Sequence, residues 1–237
     1  MMPEFSSDRD PSDPIYGYLM QDIFENDVFQ VGSGDDGEVY TNGIIAIKLF
    51  RPDSDHSEMN IATVIKTTHL SEFDPDIIMI GMIDGIPAIV REELSDLPSH
   101  YQNDIYNFMT FCHKENQARR RTREPFVWND PTLEAMEKDI LGHYKDDARE
   151  LAVQISLLDR LKQTYYEYAK SGICLADMHM ENLGYSSSKQ VKLRDLSKCD
   201  IITQLPDYPS SDITSDIKVI LEQQRGNKMF KEMKLNY

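Results

Sequence analysis

Tryptophan occurs once in these 237 residues and cysteine three times. Cys112, Cys174 and Cys199 lack the close pairing of a zinc site, and three cysteines are too few for a disulfide scaffold. A reducing, cytoplasmic setting is therefore expected. No apolar run reaches the roughly 18 residues that a membrane-spanning helix needs. The opening Met-Met-Pro-Glu-Phe-Ser-Ser-Asp has neither the basic stretch nor the apolar core of a secretory leader, so neither export nor a membrane partner is expected. Basic residues are also scarce: 25 Lys and Arg stand against 41 Asp and Glu, for a formal net charge of −16. That balance repels a phosphate backbone and excludes a general nucleic-acid binder. The exception is Arg119-Arg120-Arg121-Thr122-Arg123. It reads either as a solvated charged face or as a docking point for an acidic or phosphorylated partner, because guanidinium forks match carboxylate and phosphate.

What the chain does contain is two ordered constellations. The first is Val31-Gly32-Ser33-Gly34-Asp35-Asp36-Gly37-Glu38-Val39-Tyr40, followed by Ala46-Ile47-Lys48. Glycines without Cβ let a turn approach phosphates closely. A dinucleotide fingerprint needs a helix directly after its glycines, whereas Glu38-Val39-Tyr40-Thr41 favours a strand. Asn42-Gly43 between apolar residues is a strong hairpin signal. The spacing thus predicts a strand, the glycine turn, a second strand, a tight turn and a third strand carrying Lys48.

The second constellation is Leu175-Ala176-Asp177-Met178-His179-Met180-Glu181-Asn182, with Asp195 thirteen residues past Asn182 in Leu-Arg-Asp-Leu-Ser. A carboxylate, an amide five residues on and a second carboxylate beyond a short hairpin form a pattern suited to phosphoryl transfer. One group takes the proton of the attacking hydroxyl and two hold metal at the phosphates.

Taken in order, these elements resemble the protein-kinase-like superfamily over about residues 29–50 and 171–200. The trimmed pattern is similar to the minimal atypical kinases of bacteriophages (T7-type) and of bacterial effectors. The resemblance implies an α+β, two-lobed fold: a small antiparallel β-sheet N-lobe with a helix αC, and a truncated, mainly helical C-lobe. It implies ATP and Mg2+ as cofactors and Ser/Thr of a protein as acceptor. Asp177 becomes the catalytic base, and Asn182 and Asp195 the metal ligands. Lys48 contacts the α- and β-phosphates, held by Glu58, with Glu72 as the runner-up. Gly32, Ser33, Gly34 and Gly37 cover the phosphates, Val39 and Ala46 roof the adenine, and backbone from Glu92 to Leu94 meets its edge.

The organisation that follows is a flexible tail over 1–14, an N-lobe over 15–93, and a reduced C-lobe over 94–237 with an insertion at about 95–147. Residues 15–30 suit a short lead-in helix or strand. Glu58, Ile61, Ala62 and Ile65 fall on one helical stripe. Ile77–Ile83 and Ile86–Val90, split by Asp84-Gly85, read as a hairpin. Leu151, Ile155, Leu158, Leu161 and Tyr165 mark a helix over Glu150–Lys170, stopped by Ser171-Gly172.

The chain departs from the family in several places. Leu175-Ala176 replaces His-Arg, so a phosphorylated activation segment has no arginine receptor and constitutive activity is expected. Leu196-Ser197 replaces Phe-Gly, and no Ala-Pro-Glu follows. Gly184 stands where an apolar floor residue is usual, and Asp212 where an aspartate braces the catalytic loop. His179 is common in aminoglycoside and choline kinases, which makes a small-molecule acceptor the first alternative. A pseudokinase binding module and, more remotely, nucleotidyl transfer are the others.

Overall fold

The computed structural model describes residues 15–25, 27–74, 76–97, 131–175, 182–196, 199–201 and 205–235, with Tyr106, Phe108 and Thr110. The protein is α+β, and its described chain divides into two compact units. One comprises the chain up to Met59, Ile77–Glu93 and the chain from Asp207 onward. The other comprises Asn60–Asp76 and Leu94–Pro206. One break falls after Glu93, at the expected 93/94 boundary, but Asn60–Asp76 groups with the second unit and the stretch from Asp207 onward with the sheet.

The first unit is built on a five-stranded antiparallel sheet of order β1-β2-β3-β5-β4. The strands are β1 (Phe29–Ser33), β2 (Gly37–Thr41), β3 (Ile45–Phe50), β4 (Ile77–Ile83) and β5 (Ile86–Glu92). The Asn42-Gly43 turn forms as the sequence predicts. Gly43 sits at φ 84°, and the Asn42 Oδ1 accepts the N–H groups of Ile44 and Ile45, each at 3.0 Å. Asp84 and Gly85 both take positive φ, 50° and 80°, as a tight primed turn requires.

Strand alternation sends Ile45, Ile47 and Leu49 to one face of the sheet, with Tyr40, Ala88 and Val90. Two helices cover that face. Tyr16, Met20 and Phe24 come from α1 (Gly17–Phe24) and its lead-in. Ile217 and Leu221 come from the C-terminal helix (Thr214–Leu235), with Ile213 just before it. Residues 15–30 suit a helix or a strand, and a helix forms over Gly17–Phe24. The C-terminal cover has no counterpart in the sequence reading, although Ile213, Ile217, Ile220 and Leu221 lie at helical spacing.

The chain reaches this face by adding backbone to the outer edge of β4. Met82 N–H donates to Ser211 C=O at 2.8 Å, and Ile213 N–H to Met82 C=O at 2.9 Å, a parallel bridge. Asp212 is exposed, and its carboxylate accepts the Thr214 N–H at 2.9 Å. Hydrogen bonds from Thr214 hold its carboxyl below the usual range. Asp212 is thus a helix-start residue of the sheet unit, while the catalytic loop it is expected to brace lies outside the described residues.

Gly81 makes the edge contact possible. A Cβ there would stand 2.5 Å from Ser211 C=O and 2.7 Å from the Ile213 side chain. Gly81→Ala should therefore lower unfolding free energy by about 1–3 kcal/mol, the usual cost of overpacking. Urea denaturation checks this, and an unchanged midpoint would remove the edge contact from the account.

The second unit centres on α4 (Ala148–Lys170). Asp147 caps it by accepting the N–H groups of Arg149 and Glu150, and Gly172 at φ 76° follows its end. Leu157, Leu158, Leu161, Tyr165 and Tyr168 are its buried stripe. α3 (Pro131–His143), inside the expected insertion, is joined to it through Glu137 and Lys162 at 2.8 Å. Two short strand pairs complete the unit: β6 (Ile173–Cys174) with β9 (Asp200–Ile201), and β7 (Leu183–Tyr185) with β8 (Val191–Leu193). Among the described residues no helix is long and apolar enough to cross a membrane.

Candidate functional site

The glycine turn joins β1 to β2 as predicted, closed by the Gly34 N–H donating to Gly37 C=O at 2.9 Å. Its three glycines do different work. A Cβ on Gly37 would sit 2.1 Å from Leu49 C=O, so this glycine is required by the close approach of β3. Around Gly34 nothing lies within 4 Å of the ideal Cβ, and around Gly32 only Val39 at 3.9 Å, an ordinary contact. Their Cβ positions are open. Ser33 Oγ accepts from Arg51 Nη2 at 3.4 Å, and Asp36 C=O from the Arg51 N–H at 3.0 Å. Arg51, which reads from sequence as the start of a loop, is thus tied to the turn at two points.

The register places Val39 opposite Lys48 and Ala46 opposite Arg91. Alternation then puts Val39, Ala46, Lys48, Ile89 and Arg91 on the face opposite the helical cover. Glu58 comes from the first turn of α2 (Ser57–Thr67), whose start is held by Asp55 accepting the Ser57 N–H. Its Oε2 meets Lys48 Nζ at 2.5 Å, with both side chains buried. Arg91 Nη1 stands 3.9 Å from the other oxygen of Glu58. Lys48 Nζ also lies 5.3 Å from the centroid of the Phe50 ring. Glu72, the runner-up, is exposed at the end of a 3-10 turn in the other unit. Glu58 is therefore the glutamate paired with Lys48.

Glu92 ends β5, and the next residue, Glu93, donates its N–H to Ile44 C=O at 2.9 Å. Leu94 is buried in the second unit, where Gly184 packs beneath it. A Cβ on Gly184 would lie 2.7 Å from Leu94 Cβ and 2.9 Å from Ser95 C=O. This leaves no room for an apolar side chain at that position. The Ser95–Tyr185 backbone exchange, at 2.8 and 2.9 Å, fixes that approach.

The same hairpin sets Asn182 and Asp195. Leu183 pairs with Leu193, and one step outward Arg194 N–H donates to Asn182 C=O at 2.6 Å. Asn182 and Asp195 thus flank the open end of a two-stranded ladder. Asn182 is 8 % exposed and Asp195 is half-buried. Arg194 is held by Asp96 at 2.8 Å and by Leu94 C=O at 3.0 Å, which anchors the residue before Asp195. Asp177, His179 and Ala176, like the tail 1–14 and Arg119–Arg123, lie outside the described residues.

Sequence reasoning missed one further group, around Glu38. This carboxylate is fully buried and accepts the N–H groups of Ile15 and Tyr16 and the hydroxyl of Tyr40, the last at 2.6 Å. Arg51 lies 4.0 Å away, and Tyr16 donates its hydroxyl to Phe50 C=O at 3.1 Å. The residue next to Gly37 therefore fastens the start of α1 to the strand that follows the glycine turn. A glutamate flanked by Gly and Val in a buried strand was the available signal.

Burial first, and then the Glu38 charge, push the Tyr16 hydroxyl up to about 12; Tyr40 is raised further by burial and its hydrogen bond to Glu38. A phenol whose folded pKa exceeds the unfolded one favours the native state while both are protonated. That contribution is complete below about pH 10 and is lost as pH rises from there through about 12. Stability should fall across this window, and Tyr40→Phe should flatten the fall. Chemical denaturation at pH 8–12 measures it, and equal slopes for both proteins would contradict the network.

Among the described residues no three His, Cys, Asp or Glu side chains gather as a metal cage. The oxygen donors of Asn182 and Asp195 nevertheless fit magnesium, which keeps waters or phosphate oxygens and needs only one or two carboxylates from protein. No protein-family model matches the chain, and no curated protein matches it.

Proposed function

We propose that this protein is an ATP- and magnesium-dependent phosphotransferase of the protein-kinase-like type, acting on Ser/Thr of protein substrates in the cytoplasm. The observation that carries the reading is the buried Lys48–Glu58 pair at 2.5 Å, with Lys48 on the same sheet face as Val39 and Ala46 and on the strand paired with the one that leaves the glycine turn. A lysine held this way presents a fixed positive charge to phosphate rather than a mobile one.

In this reading Lys48 binds the α- and β-phosphates, Gly32, Ser33 and Gly34 cover them, and Val39 and Ala46 enclose the base. Asn182 and Asp195 hold magnesium, which when bound neutralises charge on the phosphates. Asp177 accepts the proton of the acceptor hydroxyl as its oxygen attacks the γ-phosphorus in line, and the bond from that phosphorus to the β,γ-bridging oxygen breaks to release ADP. Ala176 in place of arginine supports activity without a phosphorylated activation segment.

The test is incubation of phosphatase-treated protein with γ-labelled ATP, magnesium, a cell lysate and a metabolite panel, followed by intact mass. Label on protein supports the reading. Label on small molecules favours the aminoglycoside- or choline-kinase-like alternative, for which His179 speaks. An adenylyl mass gives nucleotidyl transfer, and no label gives the pseudokinase.

A further inference from the structure

We propose that Arg91 is a positioning residue for Lys48, acting through Glu58; the proposal builds on the phosphotransferase reading. Arg91 lies in Ile-Pro-Ala-Ile-Val-Arg-Glu, an otherwise apolar strand until its last two residues, and is only 7 % exposed. A buried guanidinium is costly unless a counter-charge faces it. Glu58 supplies one, with its Oε1 3.9 Å from Arg91 Nη1.

The arrangement follows from the sheet register. Ala46 faces Arg91 and Lys48 faces Ile89, so Lys48 and Arg91 are diagonal neighbours on adjacent strands and share one face. Glu58 lies between them, each carboxylate oxygen turned to its own cation: Oε2 to Lys48 at 2.5 Å and Oε1 to Arg91 at 3.9 Å. The last torsion of a glutamate is broad and roughly two-fold. One cation on one oxygen constrains that torsion less than two cations on opposite oxygens do. A second cation on the other side sets the plane, and with it the direction from which Lys48 is held. Arginine serves this purpose because it stays charged at any working pH.

The experiment compares wild type, Arg91→Met, Arg91→Lys, Glu58→Gln and the Arg91→Met/Glu58→Gln double variant. One readout is kcat/KM for ATP. The other is the rate at which Lys48 is acetylated by a pulse of acetic anhydride, mapped by mass spectrometry, which needs no turnover. Arg91→Met should lower kcat/KM about tenfold, in the range of coupling between contacting residues, and should speed Lys48 acetylation. Arg91→Lys should restore both most of the way, which a purely structural role at a packed strand position would not give. The double variant should be no worse than Glu58→Gln alone, since Arg91 acts through that carboxylate. Additive losses in the double variant, or Lys48 acetylation at the wild-type rate in Arg91→Met, would overturn the proposal. A wild type that acetylates as expected but transfers no phosphate would sink the phosphotransferase reading and leave the Arg91 brace standing.

Discussion

Asp195→Ala is expected to reduce magnesium-dependent phosphoryl transfer by about a thousandfold or more, in a protein that still folds. Asp195 follows the β7–β8 hairpin, half-buried, beside the Arg194 that bonds Asn182 C=O. The carboxylate is the stronger of the two assigned metal donors, because an amide oxygen carries no net charge to offset the cation. ADP formation over a magnesium titration measures the effect, with circular dichroism as the folding control. Undiminished turnover in Asp195→Ala would end the metal assignment.

Glu58→Ala should give the largest loss of stability among the site variants, about 3–5 kcal/mol, because removing one partner of a buried ion pair leaves the other charge without it. Lys48 and Glu58 have side chains only 5 % and 3 % exposed. The same change at Glu137, whose pair with Lys162 is about a quarter exposed on each side, is expected to cost about 1 kcal/mol or less. Urea denaturation of the two variants side by side is the comparison. Equal losses would mean that burial does not govern the Lys48–Glu58 pair.

Local signals in the sequence marked the elements that carry Lys48 and Glu58. Asn42-Gly43 fixed the turn that aims β3, the glycine spacing marked the β1–β2 turn, and the Glu58–Ile65 stripe gave the helix that supplies the partner of Lys48. The Ser171-Gly172 stop marked the end of α4. All of these depend on neighbours within a few residues. What was not read depends on long-range pairing. The return of Ser211–Ile213 to the edge of β4 turns on the missing side chain of Gly81, about 130 residues earlier in the chain. Gly37 looked like a phosphate-loop glycine, yet its closest constraint is Leu49 C=O. Arg91 and Glu38 are charges set in apolar strands. That pattern signals a buried partner but does not name it.

The measurement that tests the central claim most directly is ATP binding and γ-phosphoryl transfer assayed in parallel on wild type and Asp177→Asn. The amide keeps the shape of the side chain but cannot take the proton of the acceptor hydroxyl. The account predicts transfer by wild type, and ATP affinity within about threefold in the variant with transfer nearly abolished. Full transfer by Asp177→Asn, or loss of ATP binding with the fold intact, would contradict it.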